Sequence, residues 1–169
     1  ATSKRIAKIA FTGSTPVVTI DRPIEVATTD SVGVENRKGA GIAVEHLIGH
    51  GRRKISCVAT NAHLITIKER IIGYEESLRQ AKLSGGKALR LLSRESVQSS
   101  LSQLFGSRSR PDALFTANNA ATIWVIEALR EMKIEMGKDV AMVGFDDVDF
   151  FTLITPPVTA VRQPANELG

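Results

Sequence analysis

A doubly wound α/β layer, a parallel sheet with helices on both faces, is the fold class that this sequence predicts. Three observations predict it. Five short apolar runs have strand length, segments with a helical repeat alternate with them, and glycines follow the helical segments where the chain must turn. Strands alternating with helices of this length require right-handed crossovers, and those crossovers build a parallel sheet.

The predicted strands, in order, are Ile55–Thr60 (ISCVAT), Ala88–Leu92, Ala113–Ala117, Val140–Phe145 and Val158–Arg162. Ahead of the first, Ala40, Ala43, Val44, Leu47 and Ile48 share one helical face, and Gly51 supplies a stop. Ile67, Ile71, Tyr74, Leu78 and Ala81 form the next stripe, closed by Gly85-Gly86. Val97, Leu101, Leu104 and Phe105 make a weaker third. Ala121, Val125, Ala128, Leu129 and Met132 make the fourth, closed near Gly137. On that fourth helix Ile123 points nearly opposite the core face, beside Glu127 and Arg130, which makes it a candidate subunit contact. Residues 1–36 differ in texture. They hold one strand, Pro16–Asp21, followed by an irregular stretch to Asn36, and read as the tail of a neighbouring subdomain.

Composition narrows the function classes. A chain of 169 residues with 43% hydrophobic and 24% charged residues fits one ordinary globular domain with a real core. Aromatics, at 5%, are too few for a stacking platform for single-stranded nucleic acid. The excess charge of +4 comes without a Lys/Arg stripe, so it reads as solvated surface rather than a phosphate track. The one cysteine, Cys57, excludes an internal disulfide and a cysteine metal cluster, and its apolar run marks a buried, inert thiol. No run of about 18 apolar residues is present to span a membrane. The start, ATSKRIAKIA, has neither a signal-peptide core nor an initiator Met, so the sequence reads as a fragment.

Parallel α/β sheets bind ligands at the carboxyl ends of their strands, where loops and helix N-termini converge. Those ends carry Asn61 to Thr66 (NAHLIT) with Arg70 one turn on, then Asn118-Asn119, then Asp146-Asp147 with Asp149. A guanidinium, an amide and a carboxylate on one edge suit a ligand rich in hydroxyls or planar polar groups. Plainer roles compete. Asn118 or Asn119 is also a candidate N-cap, as is Asp147 for the next turn. Arg70 also suits a surface pair with Glu69 or Glu75. The three acids at 146, 147 and 149 offer hard oxygens for Mg²⁺, but no lysine or nucleophilic aspartate at another strand end completes a phosphotransfer site. No G-x-S-x-G, Walker loop or post-strand G-x-G-x-x-G is present, and His46 and His50 lack zinc partners. No cofactor is expected.

Several stretches, in one order and spacing, resemble the lactose-repressor family over about residues 14–169. They are PVVTIDRP (16–23), VGVENRKGAGIAVEHLIGHGRRKI (32–55), ERIIGYEESLRQA (69–81), RPDALFTANN (110–119), DVAMVGFDD (139–147) and TPPVTAVRQPANELG (155–169). The resemblance implies a periplasmic-binding-protein-like core: two pseudo-symmetric α/β subdomains around a cleft, downstream of a DNA-binding headpiece and hinge. It divides the chain into 1–36 (tail of the N-terminal subdomain and crossover), 37–160 (C-terminal effector-binding subdomain) and 161–169 (return crossover). One subdomain is then nearly complete, and the other, with the headpiece, mostly missing. Arg70 matches the effector-binding arginine, Asp146 the strand-end aspartate and Asn118 the asparagine of A-N-D. Leu64 and Thr66 fall at loop positions that vary with effector. Glu35 replaces the aspartate of D-N, and Asn119 that of A-N-D. No aromatic stands near Ser93–Val97, where the family often places a stacking wall. Ile123 falls at the family's dimer contact, with Glu127 beside it, and Trp124 stands where a small residue is common.

The resulting expectation is the effector-binding and dimerising domain of a bacterial transcriptional repressor, cytoplasmic and not an enzyme. It would bind a small polar effector, a sugar or sugar derivative before a purine, that tunes operator DNA binding through the absent headpiece. A homodimer and no membrane partner are expected. The alternatives are a periplasmic-type sugar-binding protein and, behind it, a metal-dependent phosphotransfer enzyme.

Overall fold

The computed structural model describes residues 16–22, 29–84, 86 and 88–168. The chain divides into two compact units, Ala1–Glu35 with Pro164–Gly169, and Asn36–Gln163. In the smaller unit, β1 (Val18–Ile20) pairs in parallel with β2 (Asp30–Val32), Val18 opposite Asp30. The sequence reading has no strand at β2. Its three residues, DSV, are all exposed, so they lack the apolar alternation by which a strand is recognised. A short helix, Ala165–Leu168, also belongs to this unit.

The larger unit alternates as predicted. It runs α1 (Asn36–Gly49), β3 (Ile55–Thr60), α2 (Ile65–Gln80), β4 (Ala88–Leu91), α3 (Arg94–Phe105), β5 (Ala113–Thr116), α4 (Asn119–Glu131), β6 (Ala141–Phe145) and β7 (Thr159–Val161). A single 3-10 turn, Asp149–Leu153, precedes β7. All five strands are parallel, in the order β4-β3-β5-β6-β7. The chain leaves β3 toward one edge and returns past it to β5. The carboxyl ends of β3 and β5 therefore flank the switch point, where helices depart in opposite directions and leave a crevice.

Period-two alternation sends the strand residues to two cores. Cys57, Phe115, Val143 and Phe145 meet Ala40, Val44, Leu47, Ile67, Ile71 and Tyr74 of α1 and α2. Val58, Leu114 and Met142 meet Val97, Leu101, Ala121, Val125 and Leu129 of α3 and α4. Burial on both faces explains why β3 and β5 read as unbroken apolar runs. The Cys57 thiol lies in the first core, and burial pushes its pKa well up, away from the reactive thiolate. Helices α1 and α2 cross at Gly73, where a Cβ would come within 2.1 Å of the Arg37 carbonyl oxygen. Any side chain there forces the helices apart.

Three helices of this unit close in the same way. The second residue past each helix donates to the carbonyl three back, and the third donates to the carbonyl five back: Gly51 N to Ile48 O and Arg52 N to Leu47 O, Lys82 N to Arg79 O and Leu83 N to Leu78 O, Lys133 N to Arg130 O and Ile134 N to Leu129 O. Only the first uses glycine at the left-handed position. Lys82 (φ 54°) and Lys133 (φ 55°) adopt it with a Cβ, at a cost of roughly 1 kcal/mol each. The glycine rule therefore places these two helix ends too late, at Gly85-Gly86 and Gly137. Among the described residues no helix is long and apolar enough to cross a membrane.

Candidate functional site

At the carboxyl edge, the ends of β5 and β6 and the start of α1 each contribute one polar group around a single guanidinium. Arg70 sits in the second turn of α2, with its side chain 4% exposed. Its Nε donates to Asn36 Oδ1 at the start of α1 (2.7 Å). One terminal nitrogen donates to the Ala117 carbonyl just past β5 (2.9 Å) and to Asp146 Oδ2 just past β6 (3.0 Å). The guanidinium plane lies over the Phe145 ring, 3.7 Å from its centroid. Gly39 of α1 packs closely on the same ring, where a Cβ would come within 2.9 Å of Cε2. Close packing is thus the reason for glycine in the Gly39-Ala40-Gly41 stretch. The surface pairing of Arg70 with Glu69 or Glu75 is replaced by this buried set. Arg70 lies beneath the edge because α2 starts directly over the end of β3, and its first turns face the switch point.

Asp146 holds the opposite side. Its φ of 75° is left-handed, a region that aspartate tolerates better than most residues, and its amide donates to the Val161 carbonyl (3.0 Å). Its carboxylate is shared between Arg70 and Gln163, whose Nε2 donates to Oδ1. Asn61, at the end of β3, is also left-handed (φ 53°). Two of the four left-handed non-glycine residues of the larger unit, Asn61 and Asp146, thus stand at strand ends on this edge, and the other two, Lys82 and Lys133, close helices.

The remaining predicted positions sort clearly. Asn118 caps α4: its Oδ1 accepts from Ala121 N (3.1 Å), while Nδ2 donates to Thr60 Oγ1 (2.9 Å). Asn119 is exposed and starts the helix. Thr66 is buried in the first turn of α2, and Leu64 precedes that turn and packs on the first core. His63 is exposed. Glu35 is exposed and belongs to the smaller unit.

The three acids separate. Asp146 faces Arg70, Asp147 pairs with Arg162 (2.7 Å to Nε), and Asp149 is exposed. Asp147 is therefore not the cap expected of it; Val148 occupies the cap position of the 3-10 turn, without a side-chain hydrogen bond. On α4, Ile123, Trp124 and Glu127 are half-buried, and Glu127 reaches Arg94 of α3 (3.2 Å).

Sequence reasoning missed two members of the set, Asn36 and Gln163. Both stood in stretches already singled out, ENRKGAG and VRQP, but their partners lie 34 and 17 residues away. Neither strand-end position nor helical period signals such pairs.

A family model described as a periplasmic binding protein-like domain matches residues 44–169. The ribose operon repressor of Escherichia coli K12 is 27% identical over 157 residues, 91% of this chain and 48% of that protein. The PurR repressor of Photobacterium profundum is 25% identical over 91% of this chain and 47% of its own length. Among solved structures, a regulatory protein of the LacI family from Chloroflexus aggregans superposes with a TM-score of 0.85 at 29% identity, covering 97% of this chain and 60% of that one. The chain thus spans about half the length of the curated relatives it matches.

Proposed function

The chain belongs to the periplasmic binding protein-like domain family, in the form that lactose-repressor-type regulators carry, and from that premise we propose that it is the effector-binding part of a transcriptional repressor. The observation that carries this reading is the Arg70 set. A buried guanidinium joins the ends of β5 and β6 to the starts of α1 and α2, so a ligand that contacts this edge is felt by four elements at once. Coupling of this kind is what a regulator needs, because an effector shifts a conformational equilibrium only by its differential affinity for the two states.

Asp146 is the ligand acceptor in this reading, with Arg70 holding it from beneath. Thr66, Leu64 and Asn118 shape the floor, and Glu35 enters the reading on its family position alone. A sugar or sugar derivative suits paired carboxylate and guanidinium contacts to vicinal hydroxyls, and one relative is named a ribose operon repressor. A purine is the second class, given the PurR relative. Operator DNA is contacted by another part of the protein, in the cytoplasm, and nothing is turned over.

The test is a thermal-shift screen of pentoses, hexoses, their phosphates and purine bases. A hit at one hundred times its Kd raises stability by about 2.7 kcal/mol, and Asp146→Asn should abolish the shift. A hit that Asp146→Asn leaves intact refutes this site.

We also infer that the face of α4 bearing Ile123, Trp124 and Glu127 joins two copies of the protein. Ile123→Glu places a charge in that contact and should convert dimer to monomer in sedimentation velocity at micromolar concentration. An unchanged dimer removes the assignment.

A further inference from the structure

We propose that His46 and His50, at the end of α1, form a two-imidazole chelate for a divalent transition-metal ion, with Cu²⁺ held most tightly. The sequence reading sets both histidines aside because a closed zinc site takes four protein ligands. A chelate asks only that the two rings face one ion. The helix supplies the spacing. Although α1 ends at Gly49, His50 N still donates to the His46 carbonyl (3.2 Å), so the helical path runs through His50. Residues four apart on such a path share one face, one turn above the other.

Both side chains are exposed, and their ring centroids lie 4.4 Å apart at an interplanar angle of 44°. Two imidazoles bound side by side to one ion, with metal–nitrogen bonds of about 2.0 Å at a right angle, hold their centroids roughly 4.5 Å apart. The pair therefore stands at chelating distance. His50 is also held in a ligating tautomer. Its Nδ1 lies 2.8 Å from the His46 carbonyl oxygen. A carbonyl only accepts, so Nδ1 carries the proton and the lone pair is left on Nε2. Metal-ligating histidines are commonly fixed in this way, by a second nitrogen that donates to a backbone carbonyl. Among the described residues the His46 ring has no hydrogen-bond partner, so either of its nitrogens can turn to the ion.

The donor set selects the ion. At this helix end the Ile48 carbonyl is already taken by Arg53 (2.8 Å), so the imidazole nitrogens, and not the helix end, supply the binding. For a given set of nitrogen donors affinity rises through Ni²⁺ to Cu²⁺ and falls again at Zn²⁺. Among the described residues no group of three or more His, Cys, Asp or Glu side chains could hold a metal. Water therefore completes the coordination. A pair of adjacent nitrogens with water suits tetragonal Cu²⁺ better than the closed tetrahedron of structural Zn²⁺.

The test is calorimetric titration of the full chain with CuCl₂ in a non-coordinating buffer, with electron paramagnetic resonance of the bound Cu²⁺. A site with two nitrogen ligands is expected, and NiCl₂ should bind it more weakly. His46→Ala and His50→Ala should each weaken Cu²⁺ binding by about a hundredfold, the low end for losing one of two linked contacts. Both positions are exposed, and circular dichroism verifies the fold of each variant. Glu45→His with His46→Ala keeps the chain's three histidines but moves one of the pair to another helix face, so it should lose affinity as His46→Ala does. His63→Ala, in an exposed loop, should leave the titration unchanged. Parent binding no tighter than that of His46→Ala, full affinity in the Glu45→His/His46→Ala chain, or loss of the site in His63→Ala overturns the proposal.

Discussion

Arg70→Ala is expected to lower the stability of the protein by about 3 kcal/mol, the lower end for breaking a buried ion pair. The lower end applies because Asp146, unlike Arg70, is 22% exposed and regains water when its partner leaves. Three acceptors lose a donor together: Asn36 Oδ1, the Ala117 carbonyl and Asp146 Oδ2. The Phe145 ring loses the guanidinium that covers it. For a chain of this size the change corresponds to a fall in Tm of roughly 6–12 °C. Arg70→Met with Asp146→Asn should recover part of the loss, since it removes the uncompensated charge while keeping most of the volume. Thermal melts of Arg70→Met, Asp146→Asn and the double variant form the cycle that isolates the pair. A loss below about 1 kcal/mol for Arg70→Ala, in the range of surface pairs, would show that the set contributes no more than an exposed ion pair.

Gly73→Ala is expected to cost about 3 kcal/mol, the upper end for overpacking. The added methyl meets backbone, with the Arg37 carbonyl oxygen at 2.1 Å and its carbon at 2.9 Å. A flexible side chain would swing aside; a helix backbone must translate, and α1 carries Asn36 and Gly39 with it. The substitution should therefore also weaken the response to any hit from the ligand screen, although Gly73 touches no predicted ligand position. A melt within about 2 °C of the parent protein, less than a 1 kcal/mol change produces at this size, would mean that α1 and α2 slide freely. That result would count against the rigidity assumed for the Arg70 set.

The larger unit was legible because its signals are local. An unbroken apolar run such as ISCVAT belongs to a strand buried on both faces, and the stripe Ile67, Ile71, Tyr74, Leu78 belongs to a helix with one face on a sheet. Strand ends follow from strands, which is why Arg70, Asn118 and Asp146 were placed on one edge. What stayed hidden was pairing. That Arg70 binds Asn36 and that Gln163 shares Asp146 depends on how α1 and β7 flank the central strands. Asp147 illustrates the opposite error. An aspartate before a turn is a good local candidate for a cap, but Arg162, fifteen residues on, supplies a stronger partner. The lysines at the left-handed helix ends were missed for a related reason: the closing hydrogen bonds outweigh a cost of about 1 kcal/mol that a residue-type rule treats as prohibitive.

Those helix ends also bear on how a protein of this kind diversifies. Each closure uses two backbone hydrogen bonds to fix where a helix stops and the next strand begins, and two of the three do so without glycine. The returns at the amino edge are consequently set by backbone geometry, and their side chains are open to change. At the opposite edge the strand-to-helix turns divide: Asn118 and Asp146 hold the frame through a cap and the Arg70 pair, while His63 and Asn119 are exposed and open to change. A lineage can therefore retune one edge through its exposed turn positions without renegotiating the fold behind them.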